Sequence, residues 1–297
     1  MGGLGASDGF VLRLGPSPHF RPTLSNLPFT HRLKLNTETF YNMGWCRFEY
    51  DSALAGWVEH ALPSARETVA AEKFSRWMRC GGTWLAGVNA LANDRAGAIA
   101  GSGPLQGVAI EFVKNSLGLS GFDWDKGQVS VCYPGYPKPM DTESPAAFCY
   151  RRERDAAHVD GLLPEGPRRR RYLREFHGFV LGIPMGEFSA DASPLVVWEG
   201  SHEVIRAAIK ARFESLPPDR WGEEDITDAY HEARRSVFDT CKRVEISGGP
   251  GEAFITHRLI LHGVAPWGVS ASAGADGRMI VYFRPDIGGP VEWLMAP

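Results

Sequence analysis

Cysteine is scarce in this 297-residue sequence: Cys46, Cys80, Cys132, Cys149 and Cys241 are an odd number, with no CxxC or other close pair. Neither a disulfide framework nor a thiolate zinc site is signalled, and the cysteines are expected as small buried apolar residues. Long hydrophobic runs are missing too, since none approaches the roughly 18 residues a membrane span needs. The opening MGGLGASDGF has neither the basic start nor the apolar middle of a secretory signal, and Ala6 stands where a myristoylation pattern carries Ser or Thr. A cytoplasmic protein without a membrane partner is expected. Charge of one sign is also lacking: 32 Lys+Arg against 35 Asp+Glu leave a formal net charge of -3. A dedicated nucleic-acid binder would show a basic face, so no nucleic-acid partner is expected.

Glycine and proline, by contrast, are plentiful. The 34 Gly and 21 Pro make up 55 of 297 residues, or about 19% against a usual share of roughly 12%. Both penalise helix interiors, which excludes a long-helix bundle or coiled coil and implies many turns. Residues 1–30 show no period and read as an arm or a terminal strand, FVLRLG. Helical spacing runs through Leu54, Trp57, Val58, Ala61 and Leu62, with Asp51 and Ser52 as caps and Pro63 expected to start a further helix. A second helix is expected over 104–118, from Pro104 to Gly118. After residue 120 short β-branched or aromatic runs bounded by Gly and Pro predict strands within 127–137, 177–185, 194–200, 243–249, 252–266 and 278–286. One helix, HEVIRAAIKARFESL, interrupts them and a polar segment follows it. The expected fold is mainly β with flanking α-helices, a cupin-like barrel or jelly roll. It forms one domain over 1–297, with an arm and buttressing helices in 1–120 and a core in 121–290.

Two segments carry the chemistry: AAHVDGL with His158 and Asp160, and LILHGVAPW with His262, followed 16 residues later by Arg278. Residues i and i+2 of a strand project to one face, so His158 and Asp160 can each give a donor atom to one metal ion, the third coming from elsewhere. Two imidazoles and a carboxylate on one side of an ion leave its other positions open, which suits iron(II) binding O2 and a chelating co-substrate. Zinc hydrolases use the same donor types, so the donor set alone does not choose the metal.

Taken together, HVD at 158–160, WEGSH at 198–202, LILHGVAPW at 259–267 and GRMIVYFRP at 277–285 resemble the phytanoyl-CoA dioxygenase-like branch of iron(II)/2-oxoglutarate oxygenases. The likeness covers roughly 120–290, with a weaker one in 37–60. It implies a double-stranded β-helix, a jelly-roll barrel with iron at its mouth. It also implies His158, Asp160 and His262 as metal ligands, and Arg278 as the partner of the distal carboxylate of 2-oxoglutarate. An arginine fork suits that carboxylate, and Arg284, of the same strand parity, is the runner-up. Related halogenases replace the carboxylate with a small residue; Asp160 is present here, so hydroxylation or another oxidation is implied. The implied reaction uses Fe(II), 2-oxoglutarate and O2 to hydroxylate a small organic substrate, an anionic one included, with release of succinate and CO2. The sequence departs from the pattern in a hairpin insertion, SASAGADG (270–277), in Trp267 where Asn is common, and in an insertion ahead of HVD, CYPGYPKPMDTESPAAFCYRRERD. The rival readings are a cupin-type metal enzyme that does not use 2-oxoglutarate and a non-catalytic jelly-roll binding protein.

Gln128 and Ser130 share a strand face and are further candidates to bind the co-substrate, and Trp198 is a candidate wall of its pocket. His177 and His257 read as supporting residues, because His257 stands five residues from His262, an offset of opposite parity. The segment 151–174 holds eight arginines against four acidic residues. It reads as a solvated loop face that flanks the site and can attract an anionic substrate. CGGTWLAGVNALAND (80–94) lacks nucleotide-binding spacing and reads as a loop at the substrate pocket.

Overall fold

Alternating apolar residues on short strands divide the protein into layers. The computed structural model describes residues 29–296; the FVLRLG segment, 10–15, lies outside the described residues. In chain order the elements are α1 (Phe29–Met43), β1 (Trp45–Phe48), α2 (Ser52–Ala70), β2 (Met78–Arg79), β3 (Trp84–Gly87), α3 (Val108–Glu111), β4 (Gln128–Cys132), α4 (Pro145–Glu153), β5 (Leu162–Glu165), β6 (Arg170–Leu173), β7 (Phe179–Pro184) and β8 (Leu195–Trp198). They continue with α5 (Ser201–Phe213), α6 (Thr227–Thr240), β9 (Arg243–Ile246), β10 (Ala253–His257), β11 (His262–Val264), β12 (Arg278–Phe283) and α7 (Pro290–Met295).

Seven strands form one antiparallel sheet in the order β1-β10-β7-β12-β4-β3-β2, three more pair as β11-β8-β9, and β5 and β6 form a separate hairpin. One face of the large sheet carries Val129, Val131, Leu181, Ile183, Ile255, Met279 and Val281 against Leu54, Trp57, Val58 and Ala61 of α2. Its other face meets the small sheet through Val180, Phe254, Ile280 and Tyr282 against Leu195, Val197 and Ile246. Behind the small sheet, Val196 and Trp198 pack on Ile205 and Ile209 of α5 and Tyr230 and Val237 of α6. Burying each such large side chain contributes about 1.5–3 kcal/mol. A large antiparallel sheet with flanking helices is present, but the expectation of a mainly β chain is not met, because the α-helices span more of the described residues than the strands do. Its ladders are two facing open sheets and not one hydrogen-bonded ring.

Three sequence expectations change in detail. Pro63 does not start a helix but lies inside α2, whose cap is Asp51 accepting from the Ala53 amide. Pro63 is on the exposed side, while the apolar stripe Leu54, Trp57, Val58, Ala61, Ala65 runs on beneath it. The helix expected over 104–118 is short, α3 followed by a wider turn over Phe112–Ser116. Strands β1, β2 and β3 come from the portion read as arm and helices and extend the large sheet on both sides.

Candidate metal centre

His158 and His262 are joined through their backbones before their side chains meet. The amide of each donates to the carbonyl of the other, at 2.8 and 3.0 Å, adding residue 158 to the free edge of β11. The rings lie side by side with centroids 4.6 Å apart. The expected strand is reduced to this single bridge, with Asp160 already in a turn, but the alternation of sides holds: Val159 is buried in the core behind the small sheet, while His158 and Asp160 line a cavity on the other side. Gly161 follows with φ +86°, a left-handed turn, and a Cβ there would lie 2.5 Å from the Glu175 carbonyl oxygen. Gly263 is needed for a different reason, since a Cβ would collide with the Asp155 carbonyl oxygen.

The hydrogen bonds fix which ring nitrogens are free. Nδ1 of His158 lies 3.0 Å from the Ala156 carbonyl and Nδ1 of His262 lies 3.1 Å from that of Ile260. A carbonyl only accepts, so Nδ1 carries the proton in both rings and each Nε2 keeps its lone pair. The Nε2 of His158 is 3.4 Å from Asp160 Oδ1 and that of His262 is 3.7 Å from Asp160 Oδ2. One ligand atom from each residue lies within 4.8 Å of the others. Bonds of about 2.0–2.2 Å to one ion fit inside such a triangle. The side chain of His158 is 47% exposed, against 12% for His262 and 10% for Asp160.

Charge states suit a cation. Burial pushes the Asp160 carboxyl up, but Arg284, His262 and His158 together hold it well below the usual carboxylate range. Burial pushes His262 down to about 4 although Asp160 pulls the other way. An ionised carboxylate thus faces a neutral imidazole at pH 7.

The triad opens on a cavity of about 820 Å³. Gln128 and Ser130 line it together, as their shared parity on β4 predicts, and Trp84 donates to the Ser130 hydroxyl at 3.1 Å. The 80–94 segment also lines it, through Trp84, Ala86 and Val88, but it is not a loop as expected: Trp84–Gly87 is β3, paired with β4. The insertion ahead of HVD supplies a wall: Ser144 caps α4, and Met140, Glu143, Ala147 and Arg151 face the cavity.

Two candidates are placed differently from expectation. Arg278 does not line the cavity: it is fully buried opposite Cys132, with Nη2 donating to the Tyr282 hydroxyl at 3.2 Å. Its Nε and Nη1 have no hydrogen-bond partner among the described residues. On the same strand face Tyr282 and then Arg284 do line the cavity, and Arg284 Nη1 donates to Asp160 Oδ2 at 3.4 Å. Trp198 is the other correction, because it shares the outward parity of Val196 and packs edge-on to Phe238 instead of walling the cavity.

His177 bonds to the Arg284 carbonyl and to Glu175, and His257 is buried beside His202, its Nδ1 accepting from Leu259 N, so neither meets the triad. Most of the arginine-rich segment is engaged locally: Arg152 with Glu153, Arg170 with Asp225 and Asp228, Arg174 with Glu165, Arg171 with the Leu162 carbonyl and Arg154 over the Phe238 ring. Arg151 and Arg169 remain at the cavity. The residues that sequence reasoning missed are Tyr282, Thr256 and Glu143, of which Tyr282 was signalled by its parity with Arg278. No helix among the described residues is long and apolar enough to cross a membrane.

No family model and no curated protein matches the chain. Among solved structures it is similar to the epimerase SnoN in complex with Fe3+, α-ketoglutarate and nogalamycin RO, at 16% identity over 86% of this chain and 84% of that one, with a TM-score of 0.47. It is also similar to the α-ketoglutarate-dependent carbocyclase SnoK from nogalamycin biosynthesis, at 12% identity over 92% and 87% of the two chains, TM-score 0.46. EctD from S. alaskensis with bound Fe matches at 15% identity over 84% and 74%, TM-score 0.41.

Proposed function

We propose that the chain is an iron(II)- and 2-oxoglutarate-dependent dioxygenase that hydroxylates a small organic substrate, on a jelly-roll core over 121–290 within a single domain. The reading is carried by one observation: two imidazole Nε2 lone pairs and an ionised carboxylate converge on one side of an open cavity. Three ligands on one face suit an ion that must also accept a chelating co-substrate and O2. His158, Asp160 and His262 would hold the metal, which when bound supplies the oxidising power together with O2 and 2-oxoglutarate, yielding succinate and CO2. The protein contributes position and charge. The carbonyls of Ala156 and Ile260 set the tautomers of the two histidines, and Arg284 keeps Asp160 ionised and oriented. Gln128 and Ser130 offer polar groups to the co-substrate. Among the described residues Arg278 has unpartnered donors in a fully buried position, a costly state that a carboxylate would relieve.

Anaerobic titration with iron(II) and 2-oxoglutarate should give a weak visible charge-transfer band, and aerobic turnover should release succinate. A folded protein without the band overturns the proposal. A second reading, a metal-dependent enzyme that does not use 2-oxoglutarate, is favoured by the position of Arg278 behind Tyr282. On that reading the triad binds metal and Arg278→Met changes nothing in ligand binding.

A further inference from the structure

Four arginines, Arg79, Arg151, Arg169 and Arg284, line the cavity against two carboxylates, Asp160 and Glu143. Both carboxylates already face an arginine, although Glu143 Oε2 is buried without a hydrogen-bond partner among the described residues. Asp160 belongs to the triad with Arg284, and Glu143 takes Nε and Nη2 of Arg151 on its Oε1 at 3.1 and 2.5 Å. A dipositive metal ion and a doubly negative co-substrate would cancel each other, so the lining keeps its positive excess in the loaded site. Low-dielectric walls focus such an excess on whatever enters.

Arg151 is the best placed of the four to use it. Its side chain is 18% exposed and that of Glu143 is 3% exposed, so the ion pair is largely withdrawn from solvent screening. Glu143 occupies one edge of the guanidinium and fixes its plane. Among the described residues Nη1 has no acceptor, and Arg151 lies on the cavity wall. Both residues belong to the insertion ahead of HVD, so this anchor is built from a segment that departs from the family pattern. Arg79 is turned back on the carbonyl of Met78 and the ring of Trp77, and Arg169 is exposed on the β5–β6 turn.

We infer that Arg151, oriented by Glu143, binds an anionic group, a carboxylate or a phosphate, of the substrate to be oxidised. The inference rests on the reading of this cavity as the site of oxidation, and it is tested without the metal. Metal-free protein is titrated calorimetrically with 3-phenylpropanoate, 3-phenylpropanamide and 2-phenylethyl phosphate. An anion should bind at least about ten-fold tighter than the amide, and the tighter of the two anions names the group. In Arg151→Met/Glu143→Gln the preference should fall below about three-fold. The double variant removes both partners together and so leaves no stranded buried carboxylate. Arg152→Met, which alters a cation of the same helix that pairs with Glu153 away from the cavity, should keep the preference.

If neither anion binds the wild-type protein more tightly than the amide, the inference is overturned whether or not the double variant folds, as it is by a preference that survives in a folded double variant. The iron(II)–2-oxoglutarate band is measured separately. Its absence beside an intact anion preference sinks the dioxygenase reading and leaves the anion anchor standing. Its presence beside equal binding does the reverse.

Discussion

Arg278 Nη2 donates to the Tyr282 hydroxyl at 3.2 Å, four residues along the same face of one strand. Among the described residues this is the one hydrogen bond of a buried guanidinium whose Nε and Nη1 are unpartnered, and Tyr282, unlike Arg278, lines the cavity. Unsatisfied buried charge is unfavourable. Arg278→Met is therefore expected to melt no lower than the wild type in the absence of ligands, while its affinity for 2-oxoglutarate falls about 10- to 100-fold. Thermal melts with and without co-substrate check both halves, because only the wild type should gain stability from 2-oxoglutarate through linkage.

Asp160→Ala should act on the metal instead. Loss of an outer partner of a metal ligand typically costs about 10- to 100-fold in affinity, so loss of the ligand itself should cost at least about 100-fold. Iron(II) titration of both variants separates the roles: Arg278→Met keeps the metal and loses the co-substrate, and Asp160→Ala loses the metal. The opposite pattern would show the roles to be misassigned.

Gly263→Ala tests the backbone that joins the two histidines. The added methyl meets the Asp155 carbonyl, and the Asp155 carboxylate is itself held by Arg243 at 2.8 and 2.9 Å, so the neighbour has little room to yield. Destabilisation of about 1–3 kcal/mol is expected, with weaker metal binding because the bridge between residues 158 and 262 is forced apart. A variant with unchanged melting and unchanged iron affinity would contradict this account of β11.

Acid should loosen the protein in a defined window. Burial, with the charges of Arg258 and Arg206 and the neighbouring His202, holds His257 well below the usual histidine range, and burial lowers His202 as well. An unfolded imidazole takes up its proton near pH 6.5 while these folded ones do not. Their contribution is complete above about pH 6.5 and declines as pH falls below it, by up to about 1.4 kcal/mol per pH unit for each. Melting temperatures of the metal-free protein measured from pH 7.5 to 4.5 should fall along this course, with a shallower slope in His257→Gln.

Strand parity is what the sequence displays best. Gln128-x-Ser130 on β4 and His158-x-Asp160, bridged to β11 only at residue 158, both point to the cavity, and in each the intervening residue is apolar and buried. Parity was silent at Trp198: β8 reads Leu-Val-Val-Trp with both faces buried, so no alternation distinguishes the cavity side from the helix side. Helix α4 has no buried residue and thus no apolar stripe to read, although Ser144 and Pro145 mark its start. Helix α6 buries Thr227, Tyr230, Ala233 and Val237, a stripe diluted by threonine and alanine and hidden in a polar segment. The place of Arg278 behind Tyr282 depends on side-chain direction across two sheets, which no local spacing encodes.

The unequal exposure of the two imidazoles, 47% for His158 and 12% for His262, gives the centre a front and a back. The His158 edge is the side of the triad open to bulk solvent. An imidazole-acylating reagent should label His158 long before His262, and a slim chelator should strip the ion faster than a bulky one of equal strength. Access from solvent is thus expected to shape how fast an ion enters and leaves this centre, in addition to how tightly the three residues hold it.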